Sequence, residues 1–456
     1  MDLLRLGSNS LNNVQQALAT TGHNITNANT DGYSRQTVNF EARQSQNFGY
    51  GYLGAGAFVS GVERSTDAFL TSQVQSFAAS ESRYSTYLEF SNRLDSLLAD
   101  SENNLSGSLQ KFFSGVQEVA SNPSSLPERQ VMLSEANSLV QRMQTLDRNL
   151  RNLGVEINEQ LKTSVAEVNG LSESIRQLNL QIVSASVSGA SAAPNDLLDR
   201  RDLLITELSK KVGISVVPLH DGSVNIFAGK GQGLVVGNQV SKLETRVNPY
   251  DNTRLEVAFT STAGGNIISQ YIDGGELHGL LDFRDRNMAQ AESKAGLLAL
   301  VLSGEFNTQH LKGYDLQANQ GGLFFSQPVP DMTAHSANLG TSAPTLTLDD
   351  TAAIRASEYR LKYDGTVWHM TRMSDNTSIS GTGVLSLDGM SVDTSAGVPV
   401  AGDSFSFNPA RDAAHNFNVL IRDPQKIAAA AAIKTVTPAT NAGTGKLENL
   451  KVTDAN

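Results

Sequence analysis

Leu4, Leu11, Leu18 and Ile25 recur every seven residues along the first segment of the chain, and Gly7, Val14 and Thr21 hold the position three further on. This spacing predicts a helix with a heptad seam, large aliphatics on one line and small or β-branched residues on the other. The rest of the segment is Ser, Asn, Gln and Thr, whose side chains compete for backbone hydrogen bonds and make poor isolated helices. A helix so polar, with so thin a stripe, needs neighbours. They can come from its own domain, as for any amphipathic helix, or from other chains. "TDGYSRQ" (30–36) ends the segment: Asp31-Gly32 is a turn signal, and Gly32 is free to take the left-handed conformation. "TVNFEARQ" (37–44) reads as extended, and "NFGYGYLGAGAFVSGV" (47–62) as a Gly-rich loop running into a strand.

Helical periodicity resumes from Asp67 to about Ala99 and again over about 105–120, stopping at "SNPSS". The longest periodic segment follows. Met143, Leu146, Leu150, Leu153, Ile157, Leu161, Val165, Val168, Leu171, Ile175, Leu178 and Ile182 are spaced by three or four throughout. Unbroken from about 128 to 185, this helix would be about 85 Å long, a rod that packs lengthwise against others. Pro194-Asn195-Asp196 opens a further helix, 196–213, with Gly213 as its expected cap. The period then switches. "ISVVPLHDGSVNIFAG" (214–229) alternates around Asp221-Gly222, a hairpin, and "LEVAFT" and "NIISQYIDGG" read as further strands. Residues 277–315 return to helix. From about 330 to 408 Thr, Ser, Gly and Asp dominate, and hairpins are expected at Asp364-Gly365 and Asp388-Gly389, with Trp368 in the core between them. Segment 403–432 leads out of this region towards helix.

The fold class expected is therefore mostly α with inserted β: a long helical coiled-coil or bundle rod domain with small β parts and one all-β outer domain. Its divisions are a helix within 1–36, a helical domain over 37–330 with hairpins at about 213–275, an inserted all-β domain over 331–408, and a return segment, 409–456, to the helical domain.

Composition narrows the chemistry. A net charge of -11 does not suit nucleic acid or an anionic membrane, and hydrophobic content of 39% fits a globular chain. With no cysteine there are no disulfides, thiolate metal sites or cysteine nucleophiles. The seven histidines lack the close spacing of a helical metal pair, so no metal and no cofactor is expected. The N-terminus lacks the basic start and apolar core of a cleaved secretory leader. "DLLDRRD" (196–202) and "LLDFRDR" (280–286) combine carboxylates with arginines, and on helices such spacings read as surface ion pairs. "AGKGQG" (228–233) reads as a turn. No catalytic constellation stands out, so an enzyme or binding module in the β region remains only the alternative to a structural protein.

"NSLNNVQQALATTGHNITNANTDGYSRQ" (9–36) closely resembles the N-terminal signature of the bacterial flagellar axial proteins, a family of rod, hook and hook-associated proteins. Segments 56–74, 94–123, 193–216 and 296–315 are similar to the hook-associated members at the junction of hook and filament. The resemblance implies a structural adapter, exported unfolded without a cleaved leader and placed in the extracellular flagellum. Its terminal segments are expected to be disordered in the monomer and helical in a tube of subunits. Its partners would be itself in a ring, the hook protein, a second junction protein (hook-associated protein 3), and the type III export apparatus with an export chaperone. The family ends in a second heptad helix, where that chaperone binds; this sequence reaches Asn456 without one. By the same resemblance, Leu4, Leu11, Val14, Leu18 and Ile25 carry axial packing, and Asn27, Gly32, Tyr33 and Arg35 form the turn behind it.

Overall fold

The computed structural model describes residues 3–430 apart from 48, 50, 100–104, 188–193, 261–264 and 329. Its helices are α1 (Leu3–Thr26), α2 (Ala68–Ala99), α3 (Leu105–Ser121), α4 (Leu126–Val187), α5 (Asn195–Lys211), α6 (Gly275–Phe283) and α7 (Ala289–His310). The strands are β1 (Gln36–Ala42), β2 (Gln46–Asn47), β3 (Tyr52–Leu53), β4 (Ala57–Arg64), β5 (Ile214–Pro218), β6 (Val224–Ala228), β7 (Gln232–Val236), β8 (Gln239–Val240), β9 (Leu243–Asn248) and β10 (Asp251–Phe259). A second set follows: β11 (Met332–Ala334), β12 (Thr345–Leu348), β13 (Tyr359–Tyr363), β14 (Trp368–Arg372), β15 (Ser378–Gly381), β16 (Val384–Leu387), β17 (Met390–Asp393) and β18 (Ser404–Phe407). The expected class is borne out: long helices with small antiparallel sheets. The chain divides into two units, 1–90 with 157–246 and 255–283, and 91–156 with 247–254 and 284–456.

In the first unit, β1 and β4 form a twisted ribbon, paired from Gln36–Arg64 to Ala42–Ala57 with a bulge at Asn39/Phe40. Strands β5 to β8 make a meander in sequence order. The second half of α4 supplies the spine, burying Ile157, Leu161, Val165, Val168, Ile175, Leu178 and Ile182 on one stripe. Each such side chain contributes ~1.5–3 kcal/mol by leaving water. Leu171 is only half-buried, and its neighbour Ser172 faces inward instead.

Several expectations give way here. "NIISQYIDGG" is not a strand: it makes one bridge, Ile267 to Ala258, and a short 3-10 turn at Ser269–Tyr271. Its backbone packs against the turn residues Gly213 and Gly229–Lys230: Asp273 O accepts from Gly213 N at 2.8 Å, and Tyr271 O accepts from Lys230 N at 2.9 Å. Gly213 is therefore no left-handed cap. The cap is Val212, in extended conformation, and a Cβ on Gly213 would lie 2.1 Å from Asp273 O. Close backbone approach explains the glycine.

The second unit is built round a buried cluster drawn from α3, the first half of α4, α7, residues 324–325 and the inserted strands. Phe112 sits at its centre, 5.4 Å from Phe306 and 5.6 Å from Phe325 between ring centroids, and Phe417 stacks on Phe325 at 4.7 Å. Between α6 and α7 the helix widens into one π turn, Arg284–Met288, so 277–310 is not one regular helix. A five-stranded sheet in the order β11-β18-β13-β14-β15 and a three-stranded sheet, β12-β17-β16, form the inserted region. Trp368 is buried there against Tyr363 and Phe405. Asp388-Gly389 is a two-residue turn with both φ angles positive, the hairpin geometry that Asp-Gly favours. The return segment packs back on the helices, but 409–430 holds no α-helix; a 3-10 turn at Pro424–Lys426 is its one helical piece among the described residues. Residues 431–456 of that segment lie outside the described residues.

Candidate functional site

The first unit carries an arm formed by α1, its turn and the β1–β4 ribbon. Leu4, Leu11, Val14, Leu18 and Ile25 are all exposed, by 54% to 82%. Polar side chains fold back on the helix itself: Ser10, Thr20, Thr21, Thr26 and Asn27 each donate to the carbonyl four residues earlier. Residues that weaken a free helix thus satisfy its backbone carbonyls a second time and leave the aliphatic seam as the interacting face. A comparable stripe runs along α2, where Leu70, Val74, Phe77, Tyr84 and Leu88 are exposed.

The turn behind α1 is organised by Asn24. Its Oδ1 accepts from Tyr33 Oη at 2.7 Å and from Gln36 N at 2.8 Å, and its Nδ2 donates to Gln36 O at 2.8 Å. Since Tyr33 donates to Asn24, His23 Nδ1 must carry the proton it shares with Tyr33 Oη at 3.0 Å. Burial, then the Asp196 and Asp199 carboxylates, push the Tyr33 phenol above its ordinary value, so it stays a donor. Gly32 has φ +77°, and a Cβ there would lie 2.9 Å from Leu203 Cβ, so both conformation and space select glycine. Arg35 does not anchor the turn through its side chain. That side chain is exposed, and the residue contributes its carbonyl, which accepts from Ser65 N at 2.8 Å.

α5 clamps the ribbon. Asp199 Oδ1 accepts from Arg64 Nη1 at 2.8 Å and Oδ2 from Ser34 N at 3.0 Å; Arg64 also reaches Asp202 at 2.9 Å. Asn195 Nδ2 donates to Val62 O at 2.9 Å. Arg201, on the same helix, is buried and donates to Gly222 O at 2.7 Å. The expectation that "DLLDRRD" makes surface ion pairs is therefore overturned, and so it is for "LLDFRDR", where Arg284 is buried. In "DLLDRRD" the interior charges fix the ribbon and the Gly222 carbonyl to α5. Sequence reading also missed Asn24, His23, Arg64 and Asp199. The only signal was a helix end richer in Asn than capping requires.

The remaining chemistry is sparse. Among the described residues no group of three or more His, Asp or Glu is placed to hold a metal, and no helix is long and apolar enough to cross a membrane. In the second unit a polar cleft of about 620 Å³ contains Arg151, Arg254 and Arg411. Each is already paired with carboxylates: Asp147 and Asp412, Asp251 and Glu292, and Asp251 respectively. On β14, His369 lies 2.8 Å from Asp364 Oδ2 and 2.6 Å from Ser380 Oγ. These three groups stand exposed on an open sheet, where water screens them.

An exposed heptad seam on an arm clamped by α5, in a chain that also carries a 62-residue helix, fits a structural protein better than a catalytic one. The chain's sequence, from the signature at 9–36 onward, carries the hallmarks of one class, the axial proteins of the bacterial flagellum. The chain belongs to the flagellar hook-associated protein 1 family. The profile of the flagellar hook-associated protein FlgK helical domain matches residues 91–325, and that of the flagellar hook-associated protein 1 D2-like domain matches 333–409. Flagellar hook-associated protein 1 of Salmonella typhimurium is 37% identical over 95% of this chain and 79% of its own length. The protein of that name from Escherichia coli is 34% identical over 94% of this chain and 79% of its own. The flagellar hook junction protein FlgK from Burkholderia pseudomallei superposes with a TM-score of 0.73 at 28% identity, covering 79% of this chain and 66% of that one.

Proposed function

We propose that this chain is the junction subunit that links hook to filament, and that α1 is the part that seats it among its siblings. The observation that carries this reading is the seam: five aliphatic side chains in register along one helix face, exposed in the single chain. Apolar surface arranged on one line gains its full contribution only when a second surface covers it. A ring of copies supplies one, with the hook protein and hook-associated protein 3 as axial neighbours. The chain is a structural component of the flagellum. Export unfolded through the type III apparatus, with help from a chaperone, is the route its membership supports. The clamp on α5 then fixes the angle at which each copy presents its arm.

The test is the double variant Leu11→Asp with Leu18→Asp. The expected result is a folded monomer with unchanged helical content that fails to enter hook–filament junctions in cells lacking the wild-type gene, leaving hooks without filaments. Junctions that assemble normally from this variant would overturn the reading. Among the described residues, the exposed Asp364–His369–Ser380 group is the feature an enzyme reading could use. Deleting 331–408 separates the two: the enzyme reading requires a hydrolytic activity that disappears while motility survives.

A further inference from the structure

In the second unit the chain leaves the β region and ends its described course on a moulded seat. Residues 424–430 cross the end of α7 and the turn between α3 and α4. Asp423 caps the 3-10 turn by accepting from Gln425 N at 3.0 Å. Arg129 of α4, fully buried, donates from Nη1 to Ile427 O at 2.5 Å and to Pro424 O at 3.3 Å, and from Nε to Pro123 O at 2.7 Å. Tyr314 and Ala430 exchange two backbone hydrogen bonds, at 3.0 and 3.1 Å, and Leu316 N donates to Gln425 O at 3.1 Å. The fit is close: a Cβ on Gly321 would lie 2.6 Å from Ala428 Cβ, and one on Gly313 2.7 Å from Ala428 O.

His310, the last residue of α7, completes the seat. Its Nδ1 lies 2.7 Å from Gly322 O, and a carbonyl can only accept, so Nδ1 carries the proton. Its Nε2 therefore presents a lone pair, which accepts from Ala428 N at 2.7 Å. The arrangement defines one neutral tautomer.

We propose that residues 424–430 are a releasable strap, docked while His310 is neutral and freed when Nε2 takes up a proton. A protonated Nε2 would set an N–H against the Ala428 N–H, donor against donor. It would also add a second cation beside Arg129. The charged groups around the ring are few. Arg129 acts from α4, Asp315 from the following loop acts on Arg129, and the strap brings Asp423, engaged in its own cap, and exposed Lys426. Burial holds His310 below its ordinary value, aided by Arg129 and opposed by the Gly322 carbonyl. The docked state thus prefers the neutral ring. Docking is complete above about pH 6.5 and weakens up to about tenfold for each pH unit below it. Acid would loosen residues 424–430 from the helical body and uncover Ile427, a buried member of the Phe112 cluster, while the rest of that cluster stays packed.

Hydrogen exchange on the full chain tests this, with intrinsic rates corrected between pH 7.5 and 5.5. The expected result is about tenfold more opening at the Leu316, Ala428 and Ala430 amides at pH 5.5, with no change in α3 or the first half of α4. His310→Gln keeps an acceptor near Ala428 and cannot titrate, so its strap should open equally at both pH values. Arg129→Met should open the strap at both. Equal strap protection at the two pH values in the wild type would overturn the proposal, as would an unchanged pH dependence in His310→Gln. The wild-type profile decides even if either variant fails to fold.

Discussion

α1 and α4 each line one helix face with aliphatic residues, sparsely in α1 (every seventh residue) and densely in α4 (every third or fourth), and the two stripes end in opposite environments. In α4, Ile157, Leu161 and Val168 are sealed inside the first unit; in α1, Leu4, Leu11 and Leu18 face solvent. The contrast shows what periodicity can and cannot say. It fixes which face of a helix is apolar, but not whether the covering surface belongs to the same chain. The polar positions differ more tellingly. The other faces of α4 carry Glu, Arg and Lys in pairs such as Glu159–Lys162 and Glu173–Arg176, each adding a little to the helix beside the burial of its apolar stripe. α1 carries Asn, Ser and Thr, which bond back to their own helix and leave it dependent on company.

The largest effect should come from moving the α1 experiment into α4. Ile157→Asp buries an unpaired carboxylate and should cost upward of about 4 kcal/mol, with loss of cooperative unfolding of the first unit in urea followed by circular dichroism. Leu11→Asp with Leu18→Asp should change monomer stability by less than about 0.5 kcal/mol in the same assay. If the α1 pair destabilises the monomer as α4 does, the contrast fails and the seam is an ordinary internal face.

A smaller effect is expected at the clamp between arm and body. Asp199→Ala removes the acceptor of Ser34 N and one of two acceptors of Arg64, a loss of ~1–3 kcal/mol confined to the arm. Limited proteolysis should cut within 27–36 several times faster, while the urea midpoint of the α4 core stays put. Arg35→Ala, whose side chain is exposed, should leave the cutting rate unchanged.

The smallest effect is a pH dependence within the α4 body. Burial alone would raise the pKa of Glu276, but hydrogen bonds from Lys211, Gln160 and Ser164, with the Lys211 charge, outweigh it and hold the carboxyl below its ordinary value. A carboxyl depressed in the folded state contributes stability above its unfolded value of about 4.3, and that contribution is lost as pH falls through the folded value. Glu276→Gln should therefore be less stable than wild type at pH 7, with the gap narrowing as pH falls below about 4.3, read from thermal midpoints. A gap that stays constant on acidification below about pH 4.3 would mean that the charge of Glu276 does not matter.

Helix identity and the hairpins at Asp364-Gly365 and Asp388-Gly389 were legible because each rests on local chemistry within a few residues. The long helix could be read from its spacing alone, and it runs from Leu126 to Val187. Around the arm, Gly32 and Tyr33 stood out as a turn, but their partners did not. Leu203 lies 171 positions beyond Gly32, and Asp199 pairs with Ser34 across a separation of 165. Nothing local announces such a pairing. The same holds for Gly213 and for "NIISQYIDGG", where alternation suggested strand and a close crossing of two backbones took precedence.

By itself, then, the sequence determined the long helices, where their apolar faces lie and which family the chain belongs to. These depend on short-range backbone preference and on side-chain periodicity. Only the tertiary structure decided which apolar face is covered and which is left bare, and which charges leave the surface to clamp an arm or a strap. Those outcomes depend on surfaces brought together from more than a hundred residues apart, and their free energies exist only once the chain has closed on itself.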